Sequence, residues 1–319
     1  MTLEEHFGIT EQQIQDAAEL LRRGELVAFP TETVYGLGAN ALDTAAVKRI
    51  FDAKGRPETS PLIVHISSIE MARSLAAEWP LSAEELAERF WPGPLTLVVR
   101  KKPIIPDIVT AGLPTVGLRM PAHPVALALL REAGIPVAAP SANRFTRLSP
   151  TTAEHVREGL AQHIPYILDG GPCTVGIEST VLSVVDRPAV LLRPGGVSRS
   201  EIESVIGPID SLRQSEAAGA HPSPGMHPHH YSPRTPLFLV RHGEVPSQGQ
   251  GAYLRLQRDP RYPASVVNMP GRPREYAARL YATLHELDSQ GYDWIAVDAP
   301  EETPEWESVL DRLRRASAS

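Results

Sequence analysis

Cysteine is almost missing from this sequence. Cys173 is the only one among 319 residues, which excludes an internal disulfide and a cysteine-based metal site and agrees with a reducing compartment. No run of about 18 or more apolar residues occurs, so a membrane span is excluded. The first residues, Met1-Thr2-Leu3-Glu4-Glu5-His6, are acidic and lack the apolar stretch of an export signal. The cytoplasm is the expected compartment. There is no internal repeat and no G-x-x-x-x-G-K-[ST] phosphate loop. Positive charge is also short: the net charge is −7, which excludes whole-surface nucleic-acid binding by phosphate neutralisation and leaves room only for a local basic patch.

What is present is core material. Hydrophobic residues make up 42% and charged residues 22%, as in a globular protein, and the length suggests about two domains. The 31 prolines, many beside Gly, Ser or Thr, indicate ordered turns between short elements. Thr10-Glu11-Gln12-Gln13 has capping-box form ahead of Ile14, Ala17, Leu20 and Leu21 at helical spacing. A short strand over 26–30 then runs into the polar, glycine-bearing loop 31–38. Helices over 44–53, 69–77, 83–90 and 124–132 alternate with strands over 62–66, 95–99, 116–118 and 136–139. Capping boxes at Ser82-Ala83-Glu84-Glu85, Thr151-Thr152-Ala153-Glu154 and Ser198-Arg199-Ser200-Glu201 mark three helix starts. Strands over 166–168, 180–184 and 190–192 follow one another closely, so the sheet of this α/β domain, residues 10–207, is expected to be mixed. Residues 208–236 lose periodicity and read as a linker. Residues 237–319 carry strand and helix patterns of a small second α/β domain.

Lys54-Gly55-Arg56-Pro57 closes a helix before a strand, so both cations sit at one sheet edge. They either offset the helix dipole or serve a ligand. Pro140-Ser141-Ala142-Asn143 follows an apolar strand, where open α/β sheets gather polar loops; it is otherwise an ordinary turn. His65, between Val64 and Ile66, reads by itself as a satisfied strand histidine.

Taken together with Phe29-Pro30-Thr31-Glu32-Thr33-Val34-Tyr35-Gly36-Leu37, Ser60-Pro61-Leu62, Trp91-Pro92-Gly93-Pro94-Leu95-Thr96, Val116-Gly117-Leu118-Arg119-Met120-Pro121, Glu178-Ser179-Thr180-Val181 and Leu192-Arg193-Pro194-Gly195, these segments resemble the threonylcarbamoyl-adenylate synthase family and its YrdC-like domain. The resemblance spans about residues 14–207, and the tail looks like the two-domain branch, with a Rossmann-like accessory domain. It implies a nucleotidyltransferase that joins L-threonine, bicarbonate and ATP, for threonylcarbamoyl modification of the adenosine beside the anticodon in certain tRNAs. A transferase complex would act downstream, with weak tRNA contact.

By the same resemblance Lys54 and Arg56 are catalytic, and Arg56, Ser60, Thr115, Ser141, Asn143, Ser149, Arg193 and Tyr231 bind ATP. Thr33, His65, Arg119, Ala139 and Ser179 bind threonine. Mg²⁺ is expected with the triphosphate; Glu32 and Glu178 are weak candidates to hold it. An arginine suits the threonine carboxylate because its planar fork binds carboxylate bidentately, and Arg119 is the choice. Trp91-Pro92-Gly93-Pro94 reads as a structural turn.

Three other readings compete. Leu239-Val240-Arg241-His242-Gly243-Glu244 looks like a histidine-phosphatase signature, with His285 as its second histidine. His221, His227, His229 and His230 suggest a metal site, against which the intervening prolines argue. In the family the linker is a lid beginning Pro-Gly-Met and ending His-Tyr-x-Pro, matched by Pro224-Gly225-Met226 and His230-Tyr231-Ser232-Pro233. A non-catalytic RNA-binding module is the alternative from a different class, and carbamoyl transfer to other substrates is a third enzyme reading.

Overall fold

The computed structural model describes residues 2–211, 230–241, 243–257, 260–261 and 264–317. In chain order, the first domain carries helices α1 (Leu3–Phe7), α2 (Glu11–Arg22), α3 (Thr44–Lys54), α4 (Ile69–Leu75), α5 (Leu81–Phe90), α6 (Asp107–Thr110), α7 (Pro124–Ala133), α8 (Ala153–Leu160) and α9 (Arg199–Ile206). Its strands are β1 (Val27–Phe29), β2 (Gly36–Asn40), β3 (Ile63–His65), β4 (Leu95–Arg100), β5 (Thr115–Arg119), β6 (Val137–Ala138), β7 (Tyr166–Ile167), β8 (Thr180–Ser183), β9 (Val190–Arg193) and β10 (Asp210–Ser211). They form one ten-stranded sheet in the order β10-β9-β8-β4-β5-β3-β6-β2-β1-β7. The sheet is mixed, as expected: β3 and β5 run parallel, while β4 and β5 run antiparallel.

The apolar spacing that predicts α2 explains its place. Ala17 and Leu21 pack with Leu129 and Leu130 of α7 over Phe29 and Val137 of the sheet. A larger cluster, including Ile50, Leu86, Leu97, Leu118 and Ile202, is covered by α3 to α6, α8 and α9. Burying one such side chain is worth about 1.5–3 kcal/mol. The reciprocal capping boxes at Thr10 and Ser198 form as their sequences predict.

Two predicted caps do not. Helix α5 starts two residues earlier than a Ser82 cap allows, from Pro80, whose fixed φ of −64° sets the entry without a side-chain bond. At α8 the cap is Thr152, accepting from His155 N; Thr151 instead turns its hydroxyl toward His155 Nδ1 at 3.4 Å. Ordered chain also runs further than the predicted linker start at residue 208, because Asp210 and Ser211 add to the sheet edge beside Val190 and Leu191. Most of the linker, including His221, Pro224, Gly225, Met226, His227 and His229, lies outside the described residues.

The second domain is a parallel sheet of β11 (Leu237–Val240), β12 (Gly251–Arg255), β13 (Ser265–Asn268) and β14 (Trp294–Asp298), ordered β11-β14-β12-β13, with α10 (Pro273–Ser289) and α11 (Glu307–Ala316). Its core is continuous with the first domain: Tyr276, Ala277 and Leu280 belong to one buried cluster with Val34, Leu148 and Ile177. Gly176 makes this possible. It has φ +75°, and a Cβ there would stand 2.6 Å from the α10 backbone at Ala277 and Ala278. Across the same boundary the rings of His155 and His285 stack at 3.8 Å.

Candidate active site

Strand registry builds the site. In the parallel pair β3–β5, His65 lies beside Arg119, and the two-residue period of a strand puts Ile63 on the same face as His65. Gly36 bridges to Ser141, and Ala142 N donates to Tyr35 O at 2.8 Å, which stitches the 140–143 loop to the end of the 31–35 loop. The result is a small pocket of about 50 Å³ whose lining includes Thr31, Thr33, Arg56, His65, Arg119, Ala139, Ser141, Glu178, Ser179, Arg193, His230 and Tyr231.

One wall is electrically balanced. Arg119 and Glu32, both buried, approach to 2.8 Å through Nη2 and Oε1, but off the line of a hydrogen bond, so both atoms keep unspent hydrogen-bonding capacity. Glu32 Oε2 accepts from Ala122 N at 3.0 Å, and Arg119 Nε donates to Gly93 O at 3.4 Å. Thr31 and Thr33 share a hydroxyl contact of 2.8 Å. Burial, and then the charge of Arg119, push the His65 imidazole down to about 3, so the ring is neutral.

The other wall is cationic. Lys54 lies beneath the lining: its Nζ donates to Ser141 O at 2.6 Å and to Asn143 O. Burial, and then Arg56, push its ammonium well below the ordinary lysine range. Arg56 donates to Pro61 O at 3.1 Å and lies 5.7 Å over the Phe145 ring. Burial lowers Arg56 to about 10; Arg193 also lowers it, and Tyr231 acts the other way. Arg193 clamps Ser179 O at 2.9 Å, a grip that needs Gly195, where a Cβ would meet the Ser179 backbone at 2.4 Å. His230 and Tyr231 reach in from the strap, the end of the linker at residues 230–236. Burial, and then Arg56 and Lys54, keep His230 neutral by lowering it well below its usual range.

Nine of the residues expected from sequence line this pocket: Thr33, Arg56, His65, Arg119, Ala139, Ser141, Ser179, Arg193 and Tyr231. Lys54, Asn143 and Ser149 stand behind it. Asn143 Nδ2 donates to Arg144 O and Arg147 O, each at 2.8 Å, and Ser149 Oγ donates to Glu178 at 2.5 Å. Ser60 is half-buried outside the lining, and Thr115 lines a neighbouring cavity that shares Ile63 with the pocket. Thr31 and Gly93 take part without having been expected, and Glu32 and His230 take part although they were weighed as ligands only for a metal. The short Thr31-Glu32-Thr33 spacing was the available signal for Thr31 and Glu32. The carboxylates weighed as metal ligands are ion-paired instead, Glu32 with Arg119 and Glu178 with Arg312. Among the described residues no three His, Cys, Asp or Glu converge as a metal site.

The family models divide along the same chain. One described as telomere recombination, the Sua5–YciO–YrdC model, matches residues 19–195. Another, described as threonylcarbamoyl-AMP synthase, C-terminal domain, matches 197–318. A threonylcarbamoyl-AMP synthase of Bacillus subtilis is 45% identical, over 96% of this chain and 93% of its own; one of Pyrococcus abyssi is 45% identical, over 97% and 95%. The chain belongs to the threonylcarbamoyl-AMP synthase family. A structure of P. abyssi Sua5 complexed with L-threonine is 43% identical with a TM-score of 0.89, covering 97% of this chain and 95% of that one. A relative from Mycobacterium tuberculosis matches only 61% of this chain but 89% of its own length, at 41% identity. A nucleotide-bound HypF, 22% identical with a TM-score of 0.51, shares the fold alone.

As a threonylcarbamoyl-AMP synthase the chain is an enzyme, which removes the RNA-binding module as its main reading. The phosphatase reading also fails on geometry: His285 is committed to His155 and to Ser149 O at 3.1 Å, and Arg241 pairs with Glu302 at 2.7 Å. His242 itself lies outside the described residues.

Proposed function

We propose that the balanced wall holds threonine and the cationic wall holds the ATP phosphates. Arg119 grips the amino-acid carboxylate with the capacity that Glu32 leaves unspent, while Thr33, His65, the Ala139 backbone and Ser179 complete the threonine pocket. A neutral imidazole near pKa 3 is a poor proton acceptor at neutral pH, so His65 recognises rather than deprotonates. Threonine and bicarbonate give N-carboxy-threonine with loss of water. A carboxylate oxygen of that carbamate attacks the α-phosphorus of ATP, a P–O bond forms, and the bond to the departing pyrophosphate breaks. Positioning and charge neutralisation by Arg56, Arg193, Ser141 and the underlying Lys54 supply most of the catalysis.

The observation that carries this reading is the cluster of Lys54, Arg56 and Arg193, buried to 3%, 7% and 4% exposure, a few side chains from a self-balanced Arg–Glu pair. A Mg²⁺ ion entering with ATP would be held mainly by phosphates and water, since Glu32 and Glu178 are already paired. The product would serve a cytoplasmic transferase complex that modifies tRNA. Incubation with ATP, Mg²⁺, bicarbonate and labelled threonine should yield a labelled adenylate and one pyrophosphate per adenylate; pyrophosphate release that ignores threonine would sink the proposal.

A further inference from the structure

Glu178 is a buried carboxylate in the wall of a pocket meant for anions, and left alone it would serve as a counter-ion to the cations that phosphate needs. It is not left alone. From the second domain, Arg312 Nε donates to Glu178 Oε2 at 2.7 Å and Tyr281 Oη donates to the same oxygen at 3.1 Å. Ser149 holds Oε1 from the first domain. Arg312, with a fully buried side chain, also donates to Pro194 O at 3.1 Å and lies 5.0 Å over the Tyr231 ring. One guanidinium from α11 thus touches the pocket wall, the residue after Arg193, and the strap. Burial alone would push the Glu178 carboxyl up, but the charges of Arg312 and then Arg193 hold it below the usual carboxylate range.

We propose that Arg312 and Tyr281 are positioning residues for the synthase reaction: by pairing with and fixing Glu178 they keep its negative charge from drawing on Arg193, the cation assigned to the ATP phosphates. The second domain contributes a charge to the first domain's site as well as an anchor for the strap. Without Arg312, Glu178 would lean on the charge of Arg193, which already favours its ionised form, and would compete with ATP for it. This inference rests on the assignment of Arg193 to the phosphates.

The test is steady-state kinetics of the full-length enzyme with Arg312→Met, Tyr281→Phe and the double variant Glu178→Gln/Arg312→Met, alongside Arg193→Ala and circular dichroism of each. Arg312→Met should raise KM for ATP about tenfold or more while KM for threonine stays within about twofold, and Tyr281→Phe should raise KM for ATP about two- to threefold. Removing the carboxylate as well should return KM for ATP to within about threefold of the parent. A double variant no better than Arg312→Met, or equal rises in both KM values, would overturn the proposal. If Arg312→Met does not fold, Tyr281→Phe and the double variant decide by the same criteria. Should Arg193→Ala leave KM for ATP unchanged, the phosphate assignment itself has failed, a result separable from the others.

Discussion

The two walls of the pocket solve opposite electrostatic problems. On the wall proposed for threonine Arg119 faces Glu32 at 2.8 Å, a pair that is already neutral and suits a zwitterion bringing no net charge. On the wall proposed for the phosphates Lys54 and Arg56 rest on carbonyl oxygens, which satisfy hydrogen bonds without cancelling charge. Burying cations so is expensive; both are pushed below their ordinary pKa ranges by burial first. A polyanion relieves that cost and a zwitterion does not. Charge balance, independently of shape, is what supports the proposed assignment of the walls.

The contrast breaks hardest at the cations. Lys54→Ala or Arg56→Ala should lower kcat for threonine-dependent pyrophosphate release by about a hundred- to thousandfold with an unchanged circular dichroism spectrum, the usual cost of losing one preorganised donor. A smaller and differently signed effect is expected opposite. Arg119→Ala should raise KM for threonine by about ten- to a hundredfold, a charge-assisted bond of roughly 1.5–3 kcal/mol, and leave KM for ATP near the parent value; equal rises in both would erase the distinction between walls. Serine in place of threonine removes one methyl, and kcat/KM should fall by only about ten- to two-hundredfold. The mildest effect is one of pH. His155 is pushed down to about 4 by burial and then His285, so between its unfolded value near 6.5 and 4 the unfolded chain binds the extra proton. Stability is full above that window and is lost as pH falls through it. The melting temperature should drop from pH 6.5 toward 4, and less so in His155→Gln.

Much of this was legible in the residues. The mixed sheet followed from strands succeeding one another, and nine site positions arrived in one pocket because their motifs sit at strand ends or in the loops beside them. What escaped was non-local. Glu32 stands in a readable motif, yet its partner is 87 positions later in another motif, so its ion pair has no local signal. Arg312 sits on an amphipathic helix where an arginine ordinarily faces water; nothing nearby announces complete burial. The Ser82 and Thr151 capping boxes misled because Pro80, two residues before Ser82, and Thr152, next to Thr151, were better placed to start the turn.

Gly176 carries a consequence for ancestry. A side chain there would drive a wedge into α10, so the first domain records in its own sequence that a second one leans on it. The mycobacterial relative matches 61% of this chain over 89% of its own length, and a chain without α10 would carry no such constraint. Grafting this accessory domain onto a lineage that had filled the position would fail at the seam, however well each half folded alone.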